Sequence, residues 1–320
     1  LKNAVEVGGP TKVTLGSITS SDIDLATGNY FADTLAANTT YTISNAGGVQ
    51  SFQVEVTGGV GSEYELGSAV YDSVSFSVAS QDGSPYNLQW KPDGTKFYVV
   101  GLSSDAVYQY SCSTAYDLST ASYDSVSFSV ASQAAVPYDL RFKTDGTKMY
   151  ISDGTTDTIY QYSLSTAWNV STASYDSVSF SVASQDTAPV GLTFASDGTK
   201  MYIGGNTTDT IYQYTLSTAW DLSTASYASK SLSVSSQDVF PSGLHFKPDG
   251  LILYVFGGDN NSVYQYSLTT AWDISTASYD SVSFSVLSQD NQAYGGTFNG
   301  DGTKMYMIGA TSDSVHQYST

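Results

Sequence analysis

A tyrosine recurs every 52 residues along this chain of 320 residues, and this strict period limits the possible folds more than any other feature. The recurring tyrosines are Tyr71, Tyr123, Tyr175, Tyr227 and Tyr279. An aspartate that mostly opens a D-G-T-K turn, and the last tyrosine of a Y-Q-Y motif, recur at the same spacing. Five copies without an insertion indicate a repeat architecture in which each copy forms one structural unit.

Each copy contains four segments that alternate apolar and polar residues with the period of a β-strand. In the second copy these segments lie at 137–143, 147–153, 157–165 and 175–182. The first two are separated by an Asp-Gly turn, which favours a tight hairpin because glycine accepts a positive φ. Four short antiparallel strands in one copy are typical of a β-propeller blade.

The phase of the repeat predicts how the ring closes. The repeat begins with a fourth-strand sequence at 71–80 and ends at Thr320, just after a third strand. Residues 71–80 can therefore pair beside 314–319 and leave no unpaired strand edge inside the ring. We predict an all-β chain with a five-bladed β-propeller at 71–320, built from 52-residue repeats and four-stranded blades and closed by the N-terminal and C-terminal strands.

The first 70 residues lack the repeat. Residues 1–60 contain short strand-like segments separated by Gly, Asn and Ser, which predict a small β-rich module that anchors the chain in an assembly. Residues 61–70 are expected to form a Gly-rich linker.

Charge and cysteine content exclude some classes of protein. The formal net charge is -19, so nucleic acid is a poor partner, and no apolar stretch is long enough to insert into a membrane. The single cysteine, Cys112, takes a position where later copies have leucine, and we expect it to be a packing residue.

The segment DLATGNYFADTLAANTTYTISNAGGVQSFQVEVTGG at 24–59 resembles a β-module of structural and tail-fibre-like proteins of tailed bacteriophages, marine ones especially. The propeller repeat is similar to repeats in such proteins. The resemblance implies a location on the virion surface or, alternatively, outside a cell or on its surface. It also implies partner subunits bound through residues 1–60 and a homo-oligomer within an assembly, and it implies no catalytic residue.

Variation among the copies concentrates on one face of the predicted propeller, which we call the variable face. This face carries the links from the fourth strand to the next first strand and from the second strand to the third. A recognition surface varies in this way, and so do loops under relaxed selection. The predicted ligand-binding residues, suited to carbohydrate, are Tyr86, Tyr138, Phe240, Asn291, Gln292 and Tyr294, with Asp82, Asp238 and Asp290 as hydrogen-bond acceptors.

Catalytic and metal signatures are weak. Asp139, Arg141 and His245 are expected near the channel, but the second carboxylate of a glycoside hydrolase is missing. Loops at 153–157 and 257–261 offer oxygen ligands suited to Ca²⁺, although their side chains fit turn formation better. We therefore expect no cofactor, with Ca²⁺ as the alternative.

Together these features predict a non-enzymatic virion or surface structural protein that displays the propeller as a knob and binds a glycan of the host surface, as a tail fibre or a capsid decoration. One alternative is a decoration or extracellular filament subunit without a ligand. The other is a glycan-active propeller hydrolase.

Overall fold

A computed structural model describes residues 64–320 in full and, within 1–63, the backbone course of six short strands. The chain divides into two compact units, Leu1–Ser62 and Glu63–Thr320. The part of the chain that is described has no helix long and apolar enough to cross a membrane.

The first unit contains short strands in two sheets. They are β1 Lys2–Val7, β2 Leu15–Ser17, β3 Asp22–Asp24, β4 Tyr30–Thr34, β5 Thr42–Ser44 and β6 Phe52–Glu55. One sheet has the order β2-β4-β1-β6, and β3 pairs with β5 in the other. β1 is antiparallel to β4 and β6, whereas the β2–β4 and β3–β5 pairs are parallel.

The second unit is a five-bladed β-propeller with four-stranded antiparallel blades, which confirms the predicted fold class. Its strands are β8 Pro85–Trp90, β9 Lys96–Gly101, β10 Ala106–Cys112 and β11 Ala121–Ser129 in blade 1; β12 Pro137–Phe142, β13 Lys148–Asp153, β14 Thr158–Leu164 and β15 Ala173–Ser181 in blade 2; β16 Pro189–Phe194, β17 Lys200–Gly205, β18 Thr210–Leu216 and β19 Ala225–Ser233 in blade 3; β20 Pro241–Phe246, β21 Ile252–Gly257, β22 Ser262–Leu268 and β23 Ala277–Ser285 in blade 4; and β24 Ala293–Phe298, β25 Lys304–Gly309, β26 Ser314–Ser319 and β7 Val70–Ser77 in blade 5.

The ring closes between the two ends of the propeller, as the phase of the repeat predicts. β7 lies antiparallel beside β26, with Tyr71 opposite Tyr318 and Phe76 opposite Val315. The propeller begins earlier than the sequence suggested, because residues 64–70 do not form a linker. Tyr64 takes the place that Tyr116 has in the next copy.

A short 3-10 turn precedes the fourth strand of every blade. The five turns are Leu66–Ser68, Leu118–Thr120, Val170–Thr172, Leu222–Thr224 and Ile274–Thr276. In the second of them the Asp117 carboxylate accepts a hydrogen bond from the backbone N–H of Ser119, which caps the turn.

The aromatic residue before each of these turns packs on the glycine of the D-G hairpin. Gly146 has a φ of 73°, and a Cβ on it would lie 2.4 Å from the ring of Trp168. Glycine is therefore required here both by the backbone conformation and by the close approach of the indole.

Neighbouring blades are joined by a repeated hydrogen bond that we call the tyrosine latch. The hydroxyl of Tyr150 in the second strand of blade 2 donates to the backbone carbonyl of Trp220 at 2.6 Å. Equivalent bonds join Tyr98 to Trp168 and Tyr254 to Tyr64, so the latch also spans the point of ring closure.

Cys112 is buried in the core of blade 1. Burial raises the pKa of its thiol to about 12, so the thiol stays protonated at neutral pH.

Candidate active site

Four aromatic rings from blades 1, 2, 4 and 5 pack together on the variable face, and we call them the aromatic cluster. They belong to Tyr86, Tyr138, Phe240 and Tyr294. The centroid of the Tyr86 ring lies 4.5 Å from that of Tyr294 and 4.7 Å from that of Tyr138, and Phe240 lies 5.7 Å from Tyr294.

Tyr86 has almost no exposed surface in this cluster, so the predicted stacking of a ligand on it needs correction. Burial raises the pKa of Tyr86 well above its ordinary value. The other three rings are half-buried, and Asn291 and Gln292 are exposed in the loop before blade 5. Ligand binding by those five residues stays a prediction.

The three predicted acceptor carboxylates lie inside the loops rather than on the surface. Asp82 accepts the backbone N–H of Ser84 at 2.8 Å with one oxygen, and the N–H and hydroxyl of Ser104 at 3.1 and 2.6 Å with the other. Asp238 and Asp290 accept backbone N–H groups in the same way. Their oxygens join two loops of the protein itself, which corrects the proposed role as ligand acceptors.

The predicted calcium loops show the same use of carboxylates. Asp153 accepts the backbone N–H groups of Val136 and Thr156, each at 2.8 Å. Within residues 64–320 no group of three or more His, Cys, Asp or Glu side chains is arranged to hold a metal ion.

A cavity of about 310 Å³ lies at the opposite end of the first strands, where the D-G hairpins are. Its floor is polar, and each blade supplies one floor residue from the same position of the repeat. These residues are Gln89, Arg141, Thr193, His245 and Thr297. Its walls are mostly aromatic and include Tyr64, Trp90, Phe194, Phe246, Trp272 and Phe298.

Two larger grooves lie between neighbouring blades, but they are open and shallow. The groove of about 640 Å³ beside blade 5 contains Lys304, Asp72 and Gln317, which bond to one another. Because these polar groups are already partnered, the channel cavity is the better candidate site.

A buried ion pair supports the floor of the cavity. Arg141 Nη1 lies 3.2 Å from Asp139 Oδ1, and both side chains are buried. Asp139 also accepts the backbone N–H groups of Leu140 and Leu192, each at 2.7 Å. Burial raises the pKa of Asp139 and lowers that of Arg141, so for each group the cost of burying a charge exceeds the attraction of its partner.

Arg141 reaches across the channel to other blades. Its Nη1 donates to the carbonyl of Leu140 at 3.0 Å and to that of Leu88 in blade 1 at 3.4 Å, and its Nη2 donates to the carbonyl of Leu244 in blade 4 at 3.1 Å. These bonds fix the guanidinium while leaving some of its five N–H groups free to bind a ligand.

The imidazole ring of His245 is neutral and contacts Thr297. Its Nδ1 lies 3.1 Å from Thr297 Oγ1, and that hydroxyl donates to the carbonyl of Phe298 at 3.3 Å. In the tautomer whose Nδ1 carries the proton, the hydroxyl oxygen accepts that proton and Nε2 has a lone pair. Nε2 is buried and has no hydrogen-bond partner among the described residues. Burial, aided by the charge of Arg141, lowers the pKa of His245 to about 3.

Trp90 adds an unused donor to the cavity wall. The other four copies have phenylalanine at this position. The indole Nε1 of Trp90 is buried without a partner among residues 64–320. The sequence indicated only packing for Trp90, although its difference from four phenylalanines was the available signal.

The sequence predicted the residues at the floor of the cavity better than the residues of its walls. Asp139, Arg141 and His245, expected near the channel, lie together there. Tyr64 was missed because it was placed in a linker.

The channel of this propeller contains a cavity with aromatic walls and a polar floor. These features define the class of propellers that can bind a small molecule near the ring axis. The sequence model of the family described as "Lactonase, 7-bladed beta-propeller" matches residues 25–272, which is more than half of the chain. The chain belongs to this family, although its own ring closes with five blades.

Solved structures share a distant likeness with the chain. A candidate 6-phosphogluconolactonase of Bacteroides fragilis NCTC 9343 is 14% identical, with a TM-score of 0.44 over 63% of this chain and 55% of that one. The periplasmic gluconolactonase of Pseudomonas aeruginosa is also 14% identical, with a TM-score of 0.38 over 57% of this chain and 50% of that one. The matches thus span about half the length of these proteins. A comparison with curated proteins found no match.

The family match corrects two expectations. The resemblance to phage virion proteins is wrong, because the matching family is one of lactonases. The prediction of a non-enzymatic structural protein, whether tail fibre, decoration or adhesin, is wrong for the same reason. Of the alternatives, the hydrolase agrees better with the family. The predicted partners and location stay predictions.

Proposed function

We propose that the protein is a lactonase, which hydrolyses the ester bond of a small cyclic ester in the channel cavity. One observation carries this proposal. The guanidinium of Arg141 and the unpartnered imidazole nitrogen of His245 belong to the floor of one aromatic-walled cavity. Membership of the lactonase family supports it.

The chemistry requires a water molecule, a group that stabilises negative charge and a base. Water attacks the lactone carbonyl carbon, and a free N–H of Arg141 donates to the carbonyl oxygen as that oxygen becomes negative. Nε2 of His245 accepts the proton from the water. The bond from the carbonyl carbon to the ring oxygen then breaks, the ring oxygen takes the proton, and a hydroxy acid is released.

Two neighbouring groups act by positioning. Asp139 holds the guanidinium of Arg141 at 3.2 Å. The Thr297 hydroxyl lies 3.1 Å from Nδ1 of His245 and, in the proposed mechanism, accepts the Nδ1 proton, so that Nε2 has a lone pair for the proton of the water.

The test uses residues that the repeat itself places on the floor. His245→Thr inserts the residue of blades 3 and 5, and Arg141→Gln inserts the residue of blade 1. Each change should lower kcat for lactone hydrolysis by ~100-fold or more, because a base or a charge-stabilising donor is lost. Ser103→Ala, at an exposed position of the variable face, is the control and should keep the parent's rate.

The acid limb of the pH profile gives a second measurement. His245 is active when unprotonated, and that form is present above its pKa of about 3 and is lost as the pH falls through that value. kcat/KM should therefore lack the decline near pH 6.5 that an ordinary histidine causes. The proposal would be overturned if the parent hydrolysed no lactone of a ring-size panel, or if both floor variants retained its activity.

A further inference from the structure

We infer that the cavity takes an uncharged lactone rather than a phosphorylated or carboxylated one. The inference rests on the proposed lactonase function and adds the substrate class to it. It follows from the cations of the site, the charge of the cavity mouth and the groups left without partners.

The cavity has no uncommitted cation. Arg141 is the one cation among the described residues that line it, and its Nη1 already lies 3.2 Å from the Asp139 carboxyl group. Three backbone carbonyls take further N–H groups of Arg141. An anionic phosphate in this cavity would lose its hydration without gaining a counter-charge, which is unfavourable, whereas a neutral carbonyl needs only a remaining N–H.

The lysines elsewhere in the described chain are also committed. Seven of them form ion pairs with aspartates: Lys91, Lys96, Lys143, Lys148, Lys230, Lys247 and Lys304. Lys200 instead donates to the carbonyl of Trp272 at 3.1 Å. An arriving anion would therefore have to displace an aspartate to gain a lysine.

The mouth of the cavity carries net negative charge. Its rim is formed by the five hairpin turns, which read KPDG, KTDG, ASDG, KPDG and NGDG from 91, 143, 195, 247 and 299. Every turn has an aspartate, but only three have a lysine, and each lysine pairs with the aspartate of its own turn. Asp197 and Asp301 have no lysine in their turns. A ring of this sign repels an anion and leaves a neutral ligand unaffected.

The free groups of the cavity are neutral and suit a polar ring. The Nε1–H of Trp90 is a donor and Nε2 of His245 an acceptor, and both lack partners in the described part of the chain. The aromatic walls can pack on the apolar face of a ring while the Nε1–H of Trp90 donates to one of its oxygens and Nε2 of His245 accepts from the attacking water.

The experiment compares a six-membered sugar lactone with the same lactone bearing a phosphate on its exocyclic hydroxyl. The uncharged lactone should have the higher kcat/KM by about tenfold or more, and added salt should narrow the difference by screening the rim. Ser196→Lys, on the exposed rim of the cavity, should also narrow it. Ser127→Lys on the exposed edge of β11 makes the same charge change far from the rim and should leave the ratio as it is.

Calorimetric binding of the two corresponding lactams, which are not hydrolysed, separates this inference from the proposed activity. Binding of the uncharged lactam without turnover of any lactone would remove the lactonase proposal and support the charge selectivity. Equal or better binding or hydrolysis of the phosphorylated compound would overturn the selectivity and leave the lactonase. If neither lactam bound, both would be overturned.

Discussion

One carboxylate joins the two variable-face loops in every blade, but blade 2 supplies it from the end of its second strand instead of the loop before its first strand. Blade 1 uses Asp82 and has Gly101 across from it, where a Cβ would lie 2.1 Å from the Asp82 carboxyl carbon. Blade 2 has Ala134 and Asp153 at the two equivalent positions, and Asp153 accepts the N–H groups of both loops. An aspartate and a small residue thus face each other in both blades, and the aspartate occupies opposite positions of the pair in the two blades.

Moving the carboxylate in blade 1 should test this exchange. Asp82→Ala should lower the free energy of unfolding by about 1–3 kcal/mol, because buried N–H groups of the loops lose their acceptor. Adding Gly101→Asp should restore most of that loss, since the new carboxylate enters the space that Asp82 left. Urea unfolding of parent, single and double variants measures both effects. A double variant no more stable than Asp82→Ala would contradict the exchange.

At the residue scale the sequence indicated which side chains face the channel but not what they do there. Strand alternation and the period together placed Arg141 and His245 at one equivalent position of the innermost strands and Asp139 at another. The same pattern could not tell that Tyr86 is buried or that Asp82 points into its own loop, because both depend on contacts between blades and loops. Those contacts depend on how closely the blades pack in space, which the spacing of the repeat in the sequence does not specify.

Hydrogen bonds from the second and third strands of one blade reach the connection that precedes the fourth strand of the next blade. The tyrosine latch from Tyr150 to the carbonyl of Trp220 is buried, and the amide of Gln161 accepts the backbone N–H of Leu222 in the same connection at 3.1 Å. This connection, which reads TAYDLST, TAWNVST, TAWDLST and TAWDIST in blades 1 to 4, thus helps to hold neighbouring blades together.

Removing one latch should have a measurable cost. Tyr150→Phe should lower the free energy of unfolding by ~1–2 kcal/mol, because a buried carbonyl loses its donor. Tyr160→Phe is the matched control, since the Tyr160 hydroxyl bonds only to Thr156 at an exposed position, and its effect should stay within about 0.5 kcal/mol. The urea concentrations at which the two variants are half unfolded measure both losses of stability. Equal losses would show that the latch contributes nothing beyond packing.

Element boundaries were predictable wherever the repeat was recognisable. The segment at 64–70 was missed because Y-E-L-G-S differs from Y-D-L-S-T and adjoins a glycine-rich stretch. Its short 3-10 turn is stabilised by packing on blades 4 and 5, with Tyr64 5.4 Å from Phe298 and 6.3 Å from Tyr254 between ring centroids. Local sequence preference therefore gave little indication of it.

The number of blades follows from the number of repeats, whereas the function does not. Small residues allow the first strands to approach closely, since a Cβ on Gly243 would lie 3.1 Å from the Cα of Gly295. Most repeated residues maintain this ring. The proposed chemistry depends on a few channel positions at which the copies differ, so an interpretation based mainly on the repeat favoured a structural protein over an enzyme.

Removal of the closing strand β7 tests whether the ring unfolds as one cooperative unit. β7 pairs with β26, and Phe76 also packs on Phe97 and Tyr110 of blade 1, with ring centroids 6.0 and 5.6 Å apart. A chain that begins at Glu63 keeps these contacts, while one that begins at Gln81 exposes the edge of β26 and the side of blade 1. The shorter chain should lose ~3 kcal/mol or more in free energy of unfolding and self-associate through the open edge. Urea unfolding and sedimentation measure the two effects, and a peptide of residues 63–80 added in trans should reverse both. If the two chains unfolded at the same urea concentration as monomers, the ring would not depend on its closing strand.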